Sequence, residues 1–104
     1  MNSLEIKNQG NTCFTAKDYQ ASLNLYLLAL STEDKHLDLK LKMILHSNIS
    51  QSYNLLEKPD ESLEHIEKAI DMCHELKLEG QYQEKFQYRK AKAMVIKGFY
   101  GEAR

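Results

Sequence analysis

The stretch SNISQSYNLLEKPDESLEHIEKAI, residues 47–70, contains two apolar-periodic segments separated by a turn signal. Pro59 suits the first position of a helix, because the N–H that it lacks has no partner inside the helix at that point. Asp60 and Glu61 follow it and favour the positive end of a helix dipole. Apolar residues then recur at helical spacing. The stretch therefore predicts a helix, a turn and a second helix.

The same order of residues recurs on both sides of this stretch. Small side chains stand at Gly10, Ser50 and Ala91, at steps of 40 and 41 residues. Several such sets of equivalent positions, or columns, share this step, which predicts stacked helix–turn–helix units. Small residues let paired helices approach closely, and large ones fill the gaps between neighbours. Other columns in this register are Cys13, Tyr53 and Met94; Tyr19, Pro59 and Tyr100; and Ser22, Ser62 and Ala103.

We predict an all-α protein with about two and a half such units. The first unit covers about residues 4–31, the second about 37–78, and a partial third about 81–104. Apolar residues alternate like a strand over 37–43, but helical spacing continues to Leu56, far beyond strand length, and favours a helix.

Glycines predict where the fourth and fifth helices end. Gly80 is the expected C-cap of the fourth helix. The fifth helix is expected from about Gln81 to Lys97, ending at Gly98, with a sixth element beginning at Tyr100–Arg104.

Composition limits the classes of function. The 104 residues suit one domain, and 14 basic against 15 acidic residues give a net charge of −1, which argues against a general nucleic-acid or acidic-membrane surface. No apolar run approaches the roughly 20 residues of a membrane span, and the N-terminus lacks the apolar stretch of a signal peptide. We therefore expect a cytoplasmic protein without nucleic-acid or membrane partners, in which Cys13 and Cys73 are reduced.

The repeated columns resemble the tetratricopeptide repeat (TPR) family over almost the whole chain. The stretches KNQGNTCFTAKDYQASLNLYLLAL (7–30) and SNISQSYNLLEKPDESLEHIEKAI (47–70) resemble two repeats, and KFQYRKAKAMVIKGFYGEAR (85–104) resembles the start of a third. The resemblance implies a right-handed α-α superhelix. The 40–41-residue step exceeds the family's roughly 34-residue period, and Pro59 replaces the usual aromatic residue.

A narrower resemblance concerns the two-carboxylate clamp of TPR domains that bind chaperone tails. That pattern is Lys-x-x-Gly-Asn in the first helix, Ser-Asn in the third and Lys-x-x-x-Arg in the fifth. This chain has KNQGN at 7–11, SN at 47–48 and KFQYR at 85–89. The resemblance thus implies the following carboxylate-binding residues: Lys7, Asn11, Asn48, Lys85 and Arg89.

Helix geometry agrees with that assignment. Lys7 and Asn11 are four residues apart and share a helix face, as do Lys85 and Arg89. If the units stack in parallel, these residues and Asn48 converge on one groove. Charge-assisted hydrogen bonds to the two carboxylates of a C-terminal Asp contribute about 1.5–3 kcal/mol each.

By resemblance, the protein is a non-enzymatic co-chaperone adaptor whose concave groove binds the acidic C-terminal tail, Glu-Glu-Val-Asp, of heat-shock protein 90 or 70. Phe14, one turn beyond Asn11, is the expected contact for the apolar residue of this peptide. The alternative is a TPR scaffold of another kind, which binds an internal peptide segment or assembles a protein complex. The repeat period favours this alternative, since it is similar to that of kinesin-light-chain-like and LGN-like repeats.

The sequence suggests two further partner surfaces, one on the convex face and one at the incomplete third repeat. A second protein is expected on the convex face, because the groove occupies nearly the whole chain. Self-association is expected through an apolar edge around Phe86, Met94, Val95 and Phe99, which no further helix covers.

No catalytic or metal-binding pattern is present in the sequence. There is no nucleophile–His arrangement at a recognisable turn and no Gly-rich phosphate loop. His36, His46, His65 and His74 are not at metal-ligand spacing, and the two cysteines form no metal motif. We therefore expect no enzyme activity, no cofactor and no metal.

Overall fold

The computed structural model describes residues 1–101, with side chains as far as Phe99. The described chain is all-α and has no strand. Its helices are α1 (Ser3–Thr15), α2 (Tyr19–Ser31), α3 (Leu39–Leu55), α4 (Pro59–Leu76) and α5 (Glu79–Gly101). The all-α prediction is confirmed. The sixth element was predicted to begin at Tyr100, but Tyr100 and Gly101 continue α5, and the rest of that element lies outside the described residues. None of the described helices is long and apolar enough to cross a membrane.

Side chains at the N-termini explain where the first three helices begin. Asn2 and Glu5 form a reciprocal capping box at α1. Asp18 caps α2, and the Asp38 carboxylate accepts a hydrogen bond of 2.8 Å from the Leu41 N–H at the start of α3. The cap at Asp38 starts α3 at Leu39, so most of the segment 37–43, whose alternation resembled a strand, is helical.

Three turns contain a residue in the left-handed backbone region. Lys17, Glu57 and Lys77 have φ values of 65°, 60° and 58°. At each turn, the N–H of the residue after the left-handed one donates to a carbonyl of the preceding helix, five residues earlier. After α4, for example, the Leu78 N–H donates to the Cys73 carbonyl at 3.0 Å. These hydrogen bonds offset the cost of about 1–2 kcal/mol of a left-handed non-glycine residue.

The predicted roles of two glycines are wrong. Lys77, not Gly80, closes α4, and Gly80 lies in the first turn of α5. The fifth helix does not end at Gly98 but continues through it to Gly101, and no glycine with a positive φ is found in the described part of the chain. An interior glycine weakens a helix by only about 1 kcal/mol, which its neighbours' hydrogen bonds outweigh.

The helices stack as a solenoid. Each helix packs on the next along the chain, and α3 also contacts both α1 and α5, whereas α2 and α4 are not in contact within the described residues. The helix α3 therefore has α1 on one side and α5 on the other, which defines the concave side, and α2 and α4 lie apart on the convex side. We call the surface formed by α1, α3 and α5 the groove.

The helix α3 contributes to both clusters of the core. Leu45 and Ile49 belong to the cluster shared with α1 and α2, and Met43 belongs to the cluster shared with α4 and α5. Phe86 is also part of the second cluster and only 2% exposed, so its expected place in an apolar edge is wrong. The exposed apolar residues of α5 that were predicted for that edge are Met94, Val95 and Phe99.

Small residues allow close helix pairing, as the repeat predicted. A Cβ atom on Gly10 would lie 2.6 Å from Cε1 of Tyr26, so α1 and α2 leave no room for a side chain there. In the second unit, Ser50 replaces this glycine, and its hydroxyl lies 2.7 Å from the Ser62 hydroxyl. Buried hydroxyls that pair with each other permit close approach without an unsatisfied polar atom.

We expect Gly10→Ala to destabilise the fold by about 1–3 kcal/mol, because its methyl group overlaps the buried Tyr26 ring. Urea unfolding followed by circular dichroism measures the change. The matched control is Gly80→Ala, where a Cβ meets nothing within 4 Å, and helix propensity should stabilise by up to about 1 kcal/mol. Equal effects of the two substitutions would contradict the packing described.

A pair of histidines joins α3 to α4. The Nδ1 atoms of His46 and His65 are 2.9 Å apart and the rings stack, with centroids 5.1 Å apart. One Nδ1 must donate and the other accept, so the two rings cannot both become imidazolium ions without losing this hydrogen bond. Burial lowers the pKa of His46 to about 4, with the charges of His65, Lys68 and Lys42 acting in the same direction and Glu64 opposing them. Burial likewise lowers the pKa of His65.

The lowered pKa values predict a loss of stability in mild acid. In the unfolded chain histidine takes up a proton near pH 6.5, whereas His46 in the folded protein does so only near pH 4. Between these values the unfolded state binds more protons, so the free energy of unfolding falls as the pH is lowered through that window. Urea unfolding from pH 7 to pH 4 measures the slope. The double variant His46→Phe/His65→Phe should reduce the change in unfolding free energy with pH, and the exposed control His74→Gln should not. An unchanged dependence in the double variant would refute the role of the His46–His65 pair.

Candidate functional site

The guanidinium of Arg89 lies at the centre of the groove. Arg89 comes from α5 and is only 9% exposed. Its Nη1 donates to the Ser47 hydroxyl and its Nη2 donates to Oε1 of Gln51 at 2.7 Å, both on α3. Burial lowers the pKa of Arg89, but a guanidinium pKa lies so far above neutrality that the group stays charged. Among the described residues, no carboxylate forms an ion pair with it.

Lys85 lies one helical turn before Arg89 and is exposed. Its ammonium is nonetheless partly shielded from water, and this desolvation, followed by the nearby positive charge of Arg89, lowers the pKa of Lys85. The ion pairs of α5 involve other lysines: Lys90 lies 4.0 Å from Glu67, and Lys97 lies 3.0 Å from Asp60. Within the described chain, the cations facing the groove have no acidic partner, while other lysines of the same helix do.

Two surface depressions meet at this cationic pair, and both include Lys85 and Arg89. The first depression has a volume of about 200 Å³ and is lined on the α3 side by Ser47 and Asn48. The second depression has a volume of about 360 Å³ and extends along α5 and the end of α3. Neither is lined by an aspartate or glutamate. The further residues of the second depression are Gln51, Asn54, Leu55, Tyr88 and Lys92.

The predicted residue Asn11 is connected to this region through Tyr26. Its Oδ1 accepts a 2.6 Å hydrogen bond from the Tyr26 hydroxyl, which fixes the amide with its nitrogen free to donate. Burial raises the pKa of Tyr26, and the charge of Arg89 opposes this, so the phenol lies within electrostatic range of the guanidinium. Lys7 lies one turn before Asn11 and is partly exposed, but no contact joins it to either depression.

The structure thus brings together Asn48, Lys85 and Arg89 at the first depression, whereas Asn11 lines neither depression. Phe14 is partly buried, with its ring centroid 5.2 Å from that of Tyr19, and it lines neither depression. Its role as a contact for a bound peptide stays a prediction.

Sequence reasoning missed the residues that support or extend these groups. Ser47 and Gln51 orient Arg89, and Tyr26 orients Asn11. Helical spacing contains a signal for two of the residues missed. Gln51 lies three residues after Asn48, and Lys92 lies seven after Lys85, so each shares a face with a residue of the expected site.

The arrangement is suited to binding an anion. Cations without internal counterions, together with amide and hydroxyl groups, surround depressions that contain no carboxylate. Because burial excludes water from Arg89, an anionic ligand there interacts more strongly than at an exposed lysine. The groups present donate hydrogen bonds and supply charge, but they form no nucleophile–base pair.

Comparison with known proteins gives one informative similarity. No protein-family model and no solved structure matches the chain. Among curated proteins, 68 residues are 34% identical to Protein STIP1 homolog of Dictyostelium discoideum. The matched region is 65% of this chain but 11% of that relative, so the chain spans a small part of its length. Together with the helical architecture, this similarity fits a TPR domain.

A carboxylate placed beside Arg89 should stabilise the protein. In Gln51→Glu the oxygen that accepts from Nη2 at 2.7 Å becomes part of a carboxylate, and a charge-assisted pair replaces a neutral acceptor. We expect an increase of about 1 kcal/mol in the free energy of unfolding at pH 7. Urea unfolding measures it, with Gln87→Glu as the control for an added charge at an exposed position of α5. No gain over this control would show that Arg89 does not need an anion.

Proposed function

We propose that this protein is a non-enzymatic co-chaperone adaptor that binds the acidic C-terminal tail of heat-shock protein 90 or 70 in its groove. The observation that carries this proposal is the state of Arg89. It is buried, oriented by Ser47 and Gln51, and without a carboxylate partner among the described residues.

A buried charge without a counterion is unfavourable unless a ligand supplies one. Neutral oxygen atoms stabilise Arg89 in part and hold it in place before a ligand binds. Because the guanidinium is already ordered, binding does not require the entropy loss of fixing its side chain. A carboxylate then adds a charge-assisted hydrogen bond of about 1.5–3 kcal/mol.

A C-terminal aspartate suits the groove because it has two carboxylates, the side chain and the chain terminus. We assign these carboxylates to the cations Lys7, Lys85 and Arg89 and to the side-chain amides of Asn11 and Asn48. The hydrogen bond from Tyr26 to Asn11 supports this assignment, since it leaves the amide nitrogen of Asn11 free to donate. Binding in the micromolar range is the order of magnitude expected after the costs of desolvation and peptide ordering.

The partial similarity to Protein STIP1 homolog supports a co-chaperone-like role. The choice of ligand rests on the groove, since the similarity covers only 11% of that relative. A scaffold that binds an internal segment remains the competing function, and the two differ in whether a free chain terminus is required.

Fluorescence anisotropy with a labelled peptide ending in Glu-Glu-Val-Asp tests the proposal. We expect at least tenfold weaker binding when the terminal carboxylate is amidated, because one of the two anionic groups is then lost. Binding of the free acid should also weaken with added salt, which screens exposed charges. Equal affinity for the acid and the amide would refute the proposal and favour the scaffold.

Lys85→Ala should weaken binding of the free acid at least tenfold without loss of helical content. The matched control is Lys90→Ala, which removes the same charge from α5 at a position that pairs with Glu67 instead of facing the depressions. Equal effects of the two variants would show that general charge, not the groove, determines the affinity.

A further inference from the structure

Going beyond recognition of the terminal aspartate, and resting on the proposed function, we propose that the second depression is a subsite for another acidic residue of the same peptide. Lys92 binds the side-chain carboxylate of this residue, which lies upstream of the C-terminus. The groove therefore selects acidic tails and not only acidic termini.

The position of Lys92 carries the first part of the argument. It follows Arg89 by three residues and Lys85 by seven, so helix periodicity places the three cations along one face of α5. All three line the second depression, and no acidic residue does. Lys92 takes part in none of the ion pairs found among the described residues. Its charge is therefore available to a ligand.

The size and continuity of the depression point to a peptide. Its volume of about 360 Å³ exceeds that of the first depression, and Arg89 lies in both. A peptide whose terminal carboxylate reaches Arg89 extends by roughly 3.3 Å per residue. Lys92 is about one turn of α5, roughly 5 Å, from Arg89, so the Glu residues third and fourth from the end are the candidates to reach it.

The remaining lining agrees with an apolar residue next to the acidic one. Tyr88 is 68% exposed and Leu55 is 43% exposed, so both offer apolar surface beside the cations. Asn54 lines the same depression and is 7% exposed. Its Nδ2 donates to the Arg89 carbonyl, which holds the backbone of α5 against the end of α3 beside the depression.

Binding of four peptides to three proteins tests the subsite. The peptides are the free acid ending in Glu-Glu-Val-Asp, two versions in which one Glu is replaced by Gln, and the amidated parent. The proteins are the wild type, Lys92→Met and the control Lys90→Met, each measured by anisotropy at constant low ionic strength. Methionine keeps the length of the side chain and removes its charge.

We expect Lys92→Met to weaken binding of the parent peptide about threefold, the size typical of a solvent-exposed ion pair, while Lys90→Met has no comparable effect. One of the two Glu→Gln peptides should bind Lys92→Met and the wild type equally, which identifies the partner carboxylate. If Lys92→Met weakens all free-acid peptides by the same factor, or none of them, the subsite is refuted. If the wild type does not distinguish the parent from its amide, the proposed function itself fails.

Discussion

The hydrogen bonds between Arg89 and α3 connect the fold of this protein to its candidate function. The guanidinium is 9% exposed and joins α5 to Ser47 and Gln51, so the same contacts that position the last described helix also orient the central cation of the groove. Neutral partners accept hydrogen bonds from two of its five N–H groups without cancelling its charge. The fold therefore tolerates a positive charge in a partly dehydrated place, where an anion binds more favourably than it does in water.

A steric constraint has a comparable effect at the other end of the groove. The absence of a side chain at Gly10 lets the Tyr26 ring pack against α1. That position brings the Tyr26 hydroxyl to Asn11, on the turn that also contains Lys7. Gly10 thus contributes both to helix packing and to the candidate site. How closely the Tyr26 ring approaches α1 determines which atom of α1 the Tyr26 hydroxyl reaches.

The sequence predicted the helices and their pairing better than the details at their ends. Helical spacing and capping residues are local properties, so the helix over α3 was predicted despite an alternating start. Gly80 was the wrong C-cap because hydrogen bonds after α4 stabilise a left-handed lysine at Lys77. Phe86 was placed at an exposed edge, since the sequence does not show how α5 rotates against α4. The first depression is lined by Asn48, Lys85 and Arg89, three residues that the sequence pattern placed on one surface. No contact joins Lys7 to this depression.

The sequence by itself determined an all-helical chain with a step of 40–41 residues, because helix periodicity and turn residues depend on neighbours a few positions apart. The tertiary structure alone decided which groups touch Arg89. Ser47 and Gln51 lie 42 and 38 residues before it, and their contact depends on how two helices rotate and cross. The same applies to the buried pair of His46 and His65 and to Lys92 at the second depression. Residue spacing determines which side chains share one face of a helix, but only helix packing determines which residues of a neighbouring helix that face contacts.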